Sequence, residues 1–292
     1  MTSLNKLVKA WKKDTAIYKT KSNEIFHVKD HTLLKYFRTD RKPEQLFAGD
    51  KIFKNSKNAY ACVKQFDDRT VFFKKVHHNN RPFLHLLRYN FVPSRGYNNA
   101  VISDVLRSSD ISTPKIYACG EYRKRKLLQS SFLLADAVDG KNLSEVIPCI
   151  CKNANLTQAF LAYLGYFIRR LHSVGVFHSD AKLSNFYVVN NDMDLTSVDT
   201  WNQTNNLLGV WDLDSARFFE GGVPEKYRIK DAARAISSFL IKAEQYNSEA
   251  ASQNPNAENL IKEFCIHAQL DSQSVIKELR RRWQCKLEIF RL

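Results

Sequence analysis

The sequence predicts an α+β fold in which a small antiparallel sheet with one helix is followed by a mainly helical half. Runs rich in β-branched and aromatic residues dominate the first half, whereas apolar residues recur at helical spacing in much of the remainder. We therefore predict three regions: an N-terminal basic amphipathic extension, a sheet lobe and a helical lobe. Their predicted bounds are residues 1–30, 31–138 and 139–292.

The sheet lobe is predicted to contain strands, one helix and a hairpin. Asp67-Asp68 supplies a turn between two strands, and the basic segment 122–126 closes the hairpin. The predicted strands are residues 31–38, 58–66 and 70–76, the helix is 94–108, and the hairpin strands are 114–121 and 127–136.

The helical lobe is predicted from apolar residues that recur every three or four positions before a turn at Ser173-Val174-Gly175. These residues are Leu161, Leu164, Ile168 and Leu171. Two short strands are predicted at 186–189 and 207–211, and later helices at 226–246, 256–268 and 272–285.

Residues 1–13 have the pattern of a short amphipathic helix. Leu4, Leu7, Val8 and Trp11 fall on one helical face, and lysines surround that face. Two interpretations are open: a helix that lies on anionic lipid, or a helix that packs onto the protein's own sheet lobe. The second is the preferred interpretation.

The composition indicates a chain that buries a large core and attracts anions. Of 292 residues, 44% are hydrophobic, and the formal net charge is +15. Such a charge favours nucleic acid, anionic lipid or a phosphorylated substrate as a partner. Nucleic acid is not expected, because the sequence contains no recognised nucleic-acid-binding motif. The six cysteines are scattered, which is typical of reduced thiols in a cytosolic protein.

The most informative segment is residues 178–185, which place an aspartate, a lysine and an asparagine at the spacing D-x-K-x-x-N. Phosphoryl transfer from ATP needs a carboxylate that accepts the proton of the attacking hydroxyl, and oxygen ligands that hold Mg²⁺. Asp180 suits the first role. Asn185 suits the second together with Asp212, which ends a later apolar run, since Mg²⁺ prefers hard oxygen ligands. Lys182 offers a positive charge to the phosphoryl group during transfer.

A further cation is expected on the sheet lobe, where it would hold the α- and β-phosphates of ATP. The segment Val71-Phe72-Phe73-Lys74 is typical of a strand that ends in such a lysine. Successive side chains of a strand point to opposite faces, so only one of Lys74 and Lys75 serves this role. The match to the pattern favours Lys74.

Two parts usual in such sites are missing. The segment 54–59 has no glycine-rich loop, so polar and basic side chains are expected to cover the phosphates there. The predicted helix has Asn98 or Asn99 at the position where a glutamate would pair with the lysine, and an amide lacks the charge of an ion pair. His178 is expected to brace the loop, and Asp214 either to hold the loop or to assist the metal.

These residues resemble the lipopolysaccharide core kinases, protein-kinase-like enzymes that phosphorylate heptose or Kdo sugars of the inner core. The likeness covers residues 58–245. It is carried by Val71–Lys74, Ser94-Arg95, Asp110-Ile111-Ser112-Thr113-Pro114, His178-x-Asp180 with Asn185, Asp212-Leu213-Asp214 and Arg228-Ile229-Lys230-Asp231. The resemblance implies a two-lobed protein-kinase-like fold, ATP and Mg²⁺ as cofactors, and transfer of phosphate to a sugar hydroxyl.

The resemblance also implies an anionic glycolipid substrate and a cytoplasmic enzyme with peripheral contact to the inner membrane. The segment after Asp212 is short and lacks an A-P-E motif, which favours a small acceptor over a peptide. Arg217, Arg228 and Lys230 are candidate contacts of an anionic acceptor. Two alternatives remain: a kinase for a protein or a soluble small molecule, and a non-catalytic kinase-fold binding module.

Overall fold

The computed structural model describes residues 3–19, 24–33, 51–66, 69–78, 82–203, 206–249 and 257–287. The chain divides into two compact units. Unit 1 consists of Met1–Val105, Pro114–Val138 and Leu213–Ser215, and unit 2 consists of Leu106–Thr113, Asp139–Asp212 and Ala216–Leu292. The domain bounds given above from the sequence remain a prediction.

Seven antiparallel strands form the sheet of unit 1. In chain order they are β1 (Ala16–Lys19), β2 (Glu24–Val28), β3 (Lys51–Asn55), β4 (Ala59–Phe66), β5 (Arg69–His77), β6 (Ile116–Lys124) and β7 (Leu127–Asp136). Their order across the sheet is β1-β2-β6-β7-β5-β4-β3. The hairpin β6–β7 therefore lies in the middle of the sheet, and β5 pairs with β7.

In the described part of unit 1, three helices accompany this sheet: α1 (Ser3–Lys13), α2 (Phe83–Arg88) and α3 (Arg95–Arg107). Two apolar clusters form the core, one around Phe26, Phe73 and Phe132 and one that joins α1 and α3 to the sheet. Gly96 permits close approach of α3 to β7, because a Cβ atom there would lie 2.4 Å from the backbone oxygen of Phe132. The sheet thus fixes the position of α3.

The apolar face of α1 packs into the core of unit 1. Val8 and Trp11 are buried, and the ring of Trp11 meets Tyr97 of α3 edge to face at 6.3 Å. Leu4 and Leu7 are partly buried against the same cluster. The preferred interpretation of residues 1–13 is confirmed, and the alternative, in which this apolar face lies on lipid, is wrong because the protein's own core occupies it.

Unit 2 is mainly helical. Its helices are α4 (Leu143–Ile150), α5 (Ala154–Ser173), α6 (Val198–Gln203), α7 (Glu225–Glu249), α8 (Ala257–Ala268) and α9 (Ser272–Leu287). Four short strands form two antiparallel pairs: β8 (Val176–Phe177) with β11 (Arg217–Phe218), and β9 (Phe186–Val188) with β10 (Leu208–Val210). None of the helices in the described ranges is long and apolar enough to span a bilayer.

The end of α5 leads the chain into the loop of the predicted site. Gly175 follows the last turn with φ +83°, and its N–H donates to the carbonyl of His172. A Cβ atom at this position would lie 2.3 Å from the backbone oxygen of Phe219. Both the left-handed backbone and the close approach favour glycine, so the predicted helix end is confirmed.

Most predicted elements are confirmed, and one predicted segment differs. His31–Leu33 forms a short 3₁₀-helix where a strand was predicted, because Asp30 accepts hydrogen bonds from the N–H and hydroxyl of Thr32. Residues 34–38 of that predicted strand lie outside the described residues. In the segment 54–59, β3 ends at Asn55 and a turn leads into β4.

We predict that Trp11→Ala destabilises the protein by about 3 kcal/mol, the usual cost of removing a large buried aromatic side chain. Thermal and denaturant unfolding measure the change. Lys9→Ala on the exposed side of the same helix is the matched control and should change the free energy of unfolding by less than about 0.5 kcal/mol. Equal stability of the two variants would show that α1 is not part of the core.

Candidate active site

A buried carboxylate on α7 anchors the D-x-K-x-x-N loop, residues 178–185. Asp231 Oδ2 accepts a hydrogen bond from the N–H of His178 at 2.8 Å, and Oδ1 accepts one from the N–H of Ser179 at 2.9 Å. Its Oδ2 also lies 3.2 Å from His172 Nε2. Ser179 has φ +68°, a backbone conformation that serine rarely adopts, and these bonds hold it there.

The side chains of Asp180, Lys182 and Asn185 come together in this loop, as the spacing predicts. Asp180 Oδ2 lies 3.1 Å from Lys182 Nζ and accepts a hydrogen bond from Asn185 Nδ2 at 3.2 Å. Its other oxygen, Oδ1, accepts from Arg234 Nε at 3.2 Å and lies 3.1 Å from Arg234 Nη2. The carboxylate is about one-third exposed, so a substrate hydroxyl can reach it from solvent.

Arg234 was missed by the sequence reasoning, although a signal for it exists. It lies three residues after Asp231, and Ser238 lies four residues further along α7, so all three side chains share one helix face. Ser238 Oγ accepts a hydrogen bond from the N–H of Leu183 at 3.1 Å. Helix α7 thus holds the loop at three places: Asp231 binds its start, Arg234 binds the carboxylate of Asp180, and Ser238 binds its middle.

The imidazole of His178 braces the loop. Its Nδ1 accepts a hydrogen bond from the N–H of Asp180 at 3.3 Å, so its Nε2 carries the proton and donates to the carbonyl of Trp211 at 3.0 Å. The ring is fully buried. These contacts join the loop to the residue directly before Asp212.

Asn185 has one oxygen left for a ligand. Its Nδ2 donates to the backbone oxygen of Asp180 at 2.8 Å, in addition to the carboxylate. Among the described residues, no donor binds its Oδ1. The backbone oxygen of Asn185 accepts a hydrogen bond from the N–H of Trp211 at 3.1 Å. This bond holds the residue directly before Asp212 against the loop. Asp212 follows β10 with φ +58°, in the left-handed region.

Lys74 of β5 has a carboxylate partner that the sequence reasoning did not identify. Its Nζ lies 2.6 Å from Asp214 Oδ2, and the other oxygen of Asp214 accepts from Asn99 Nδ2 at 3.2 Å. Asn98 donates to the backbone oxygen of Leu213 at 3.0 Å. The two asparagines therefore hold the segment that supplies the negative charge, and the missing glutamate is replaced by Asp214. Both oxygens of Asp214 are thus engaged, one by Lys74 and one by Asn99.

Lys75 faces the interior of unit 1. It is buried, its Nζ lies 3.4 Å from Glu24 Oε1, and the same atom sits 4.8 Å from the ring centroid of Phe132. The ion pair and the cation–π contact both stabilise the core. Of the two lysines weighed from the sequence, Lys74 is the one beside α3 and Leu213–Ser215.

The three basic residues suggested for the acceptor differ in their surroundings. Arg228 donates to the backbone oxygens of Ala268 and Gln269 at the end of α8, at 3.4 and 2.9 Å, and thereby caps that helix. Arg217 and Lys230 both lie over the ring of Tyr227, at 5.8 and 5.3 Å from its centroid. Arg217 and Lys230 therefore form one small basic group.

Within the described residues, no group of three or more histidine, cysteine, aspartate or glutamate side chains has the arrangement of a metal site. Cys151 and Cys265 are poor nucleophiles, since burial raises the pKa of Cys151 to about 11 and of Cys265 to about 12. Within the described residues, no disulfide joins Cys62, Cys119, Cys149, Cys151 or Cys265, in agreement with the reduced thiols that the sequence predicts. Cys285 lies outside the residues whose side chains are described.

An antiparallel-sheet unit with a paired lysine and a helical unit with a D-x-K-x-x-N loop define a kinase-like enzyme. The sequence profile of the lipopolysaccharide kinase (Kdo/WaaP) family matches residues 80–235, more than half of the chain, and the chain belongs to this family. It is thus a kinase that uses ATP, and its class of substrate is the lipopolysaccharide core.

A solved structure with a TM-score above 0.5 supports the same fold. The structure described as WaaP in complex with acyl carrier protein has a TM-score of 0.53 and 15% identity, and the match covers 92% of this chain and 98% of that one. The BubR1 kinase domain matches with a TM-score of 0.44 and 12% identity, over 91% of this chain and 86% of that one. No curated protein sequence matches the chain.

We predict strong thermodynamic coupling between Lys74 and Asp214, because removing either partner leaves the other charge partly buried without its counter-ion. A double-mutant cycle with Lys74→Met and Asp214→Asn, read by denaturant unfolding, should give a coupling free energy of at least about 1 kcal/mol. The matched control is the exposed pair Lys262–Glu258 on α8, at 3.1 Å, for which about 0.3–0.5 kcal/mol is expected. Equal coupling in the two pairs would contradict the assignment.

Proposed function

We propose that the enzyme transfers the γ-phosphoryl group of ATP to a sugar hydroxyl of the lipopolysaccharide inner core, on heptose or Kdo. The observation that carries this proposal is the carboxylate of Asp180, held in a fixed position by Lys182, Asn185 and Arg234 and still exposed to solvent. Such a carboxylate suits the orientation of a hydroxyl nucleophile.

In the proposed reaction Asp180 accepts the proton of the sugar hydroxyl as its oxygen bonds to the γ-phosphorus. The bond from that phosphorus to the β,γ-bridging oxygen breaks, and ADP leaves with the electron pair. Lys182, whose Nζ is 3.1 Å from the carboxylate, places a positive charge beside the transferred group. The acceptor hydroxyl has to compete with Arg234 and Asn185 for the oxygens of Asp180, so its approach rearranges these contacts.

The residues present fit a Mg²⁺ site built from oxygen ligands. The Nδ2 of Asn185 donates to Asp180, and no described residue donates to its Oδ1. Asp212 adds a carboxylate directly after Trp211, whose backbone is bonded to Asn185. We assign the metal to these two side chains, since Mg²⁺ takes few protein ligands and otherwise binds phosphate and water. When bound, the ion neutralises charge on the phosphates.

Lys74 is proposed as the cation that holds the α- and β-phosphates, and Asp214 orients it. The anionic glycolipid substrate fits the net charge of +15, and the proposed location is cytoplasmic, at the inner-membrane surface. Arg217 and Lys230 are proposed contacts of anionic groups on the acceptor, since Arg228 is engaged by α8. The missing glycine-rich loop leaves the phosphate cover unassigned.

We predict that Asp180→Ala lowers phosphoryl transfer by at least ~10²-fold and leaves ATP affinity nearly unchanged, because the base acts on the acceptor. The assay incubates the protein with ATP, Mg²⁺ and dephosphorylated core glycolipid, and mass spectrometry reads the added phosphate. Calorimetry measures ATP binding separately.

The control is Asp192→Ala, which removes an exposed carboxylate from the same unit and should leave transfer unchanged. Near-wild-type turnover of Asp180→Ala would remove Asp180 as the base. Binding of ATP without transfer to any core glycolipid by the unaltered enzyme would favour a non-catalytic binding module or another acceptor.

A further inference from the structure

Helix α2 of unit 1 turns its apolar side outward. Phe83 and Leu84 are 60% and 79% exposed, and Phe91, in the turn after the helix, is 77% exposed. At 100° per residue, Phe83 and Leu84 are neighbours on one face of the helix. Leu86 and Tyr89 are buried on the opposite side. We call Phe83, Leu84 and Phe91 the apolar patch.

This patch is unusual because a surface helix normally turns its polar side to water. Contacts of Tyr89 attach the helix end to the unit, since Arg123 donates to the backbone oxygen of Tyr89 at 3.0 Å and His78 meets the Tyr89 ring at 4.9 Å. The exposure of the patch is therefore a feature of the folded unit, and large exposed apolar patches mark contact surfaces.

A row of lysines lies beside the patch. The first turn of α1 is bonded to it, because Asn5 Nδ2 donates to the backbone oxygen of Phe91 at 3.0 Å. The apolar side of α1 is buried, so its basic side faces solvent, and Arg88 of α2 is exposed as well. The exposed lysines of α1 are Lys6, Lys9 and Lys13, and no carboxylate of the described residues pairs with them.

We propose that this face of unit 1 docks on an anionic phospholipid surface. The apolar patch inserts at the boundary of headgroups and acyl chains, and the lysines of α1 meet the lipid phosphates. The orientation is the reverse of the lipid-bound alternative considered for residues 1–13. The apolar side of α1 belongs to the core, and its lysine side faces the lipid.

The size and charge of the surface favour a bilayer over a protein partner. The helix that carries most of the patch has six residues and is therefore about 9 Å long. A stable protein interface buries about 800 Å² on each partner, considerably more than three side chains supply. The flanking residues on both helices are cations, which complements a surface of lipid phosphates.

The test measures binding of the full-length protein to vesicles of phosphatidylcholine containing roughly one-third phosphatidylglycerol. The patch variant Phe83→Ser/Leu84→Ser/Phe91→Ser should lower vesicle affinity about tenfold or more. The lysine variant Lys6→Gln/Lys9→Gln/Lys13→Gln should lower it by a similar factor at low salt. Added salt should weaken binding of the unaltered protein and narrow its difference from the lysine variant.

Two matched controls distinguish vesicle binding through this surface from nonspecific apolar and electrostatic binding. Ile266→Ser removes an apolar side chain of α8 that is 67% exposed, and Lys152→Gln/Lys242→Gln/Lys277→Gln removes three exposed charges from unit 2. Both controls should bind vesicles like the unaltered protein. ATP binding of all variants should stay unchanged, which shows that they are folded.

Unchanged vesicle binding by the patch and lysine variants overturns the proposal, as does an equal loss in the control variants. Self-association that is lost in the patch variant, without vesicle binding by the unaltered protein, overturns it in favour of a second copy on this face. The lipid readout needs no phosphoryl transfer, so its result is independent of the proposed reaction and of its acceptor.

Discussion

One face of helix α7 sets the geometry on which the rest of the site depends. Asp231 fixes the backbone of His178 and Ser179, and one turn later Arg234 fixes the carboxylate of Asp180. Because the helix is rigid and the anchor is buried, the loop has little freedom to move its carboxylate. The hydrogen bonds to Asp231 stabilise the left-handed backbone of Ser179. Catalysis by orientation requires that the base is held in a precise position.

The two aspartates of the D-L-D segment lie in different surroundings. Asp212 belongs to unit 2 and follows the backbone that Asn185 holds, so its carboxylate suits a metal. Asp214 belongs to unit 1, where it neutralises Lys74 at 2.6 Å. The helix that usually supplies an acidic partner here supplies Asn99, which binds Asp214. The acidic partner of Lys74 therefore lies in the segment 213–215 and not on α3, and the lysine still forms an ion pair.

The sequence predicted those features of the fold and site that depend on local spacing. The helices and strands near the site follow apolar periodicity, and Asp180 with Asn185 lies in one short loop, so their proximity follows from the motif. The partner of Lys74 could not be predicted, because it lies 140 residues away and its position depends on tertiary packing. Arg234 was predictable in principle from its spacing to Asp231. The outward face of α2 was not, since periodicity alone does not say which side of a short helix meets the core.

The central claim, that a buried carboxylate on α7 positions the base, is tested most directly with Asp231→Asn. Hydrogen exchange should show lost protection at the N–H of His178 or of Ser179, because the amide replaces one of the two accepting oxygens by an NH₂ group. Transfer to the core glycolipid should fall at least ~10²-fold while ATP affinity is nearly kept. Asp271→Asn, at the exposed start of α9, controls for the lost charge. Unchanged exchange at both amides together with unchanged transfer would contradict the account.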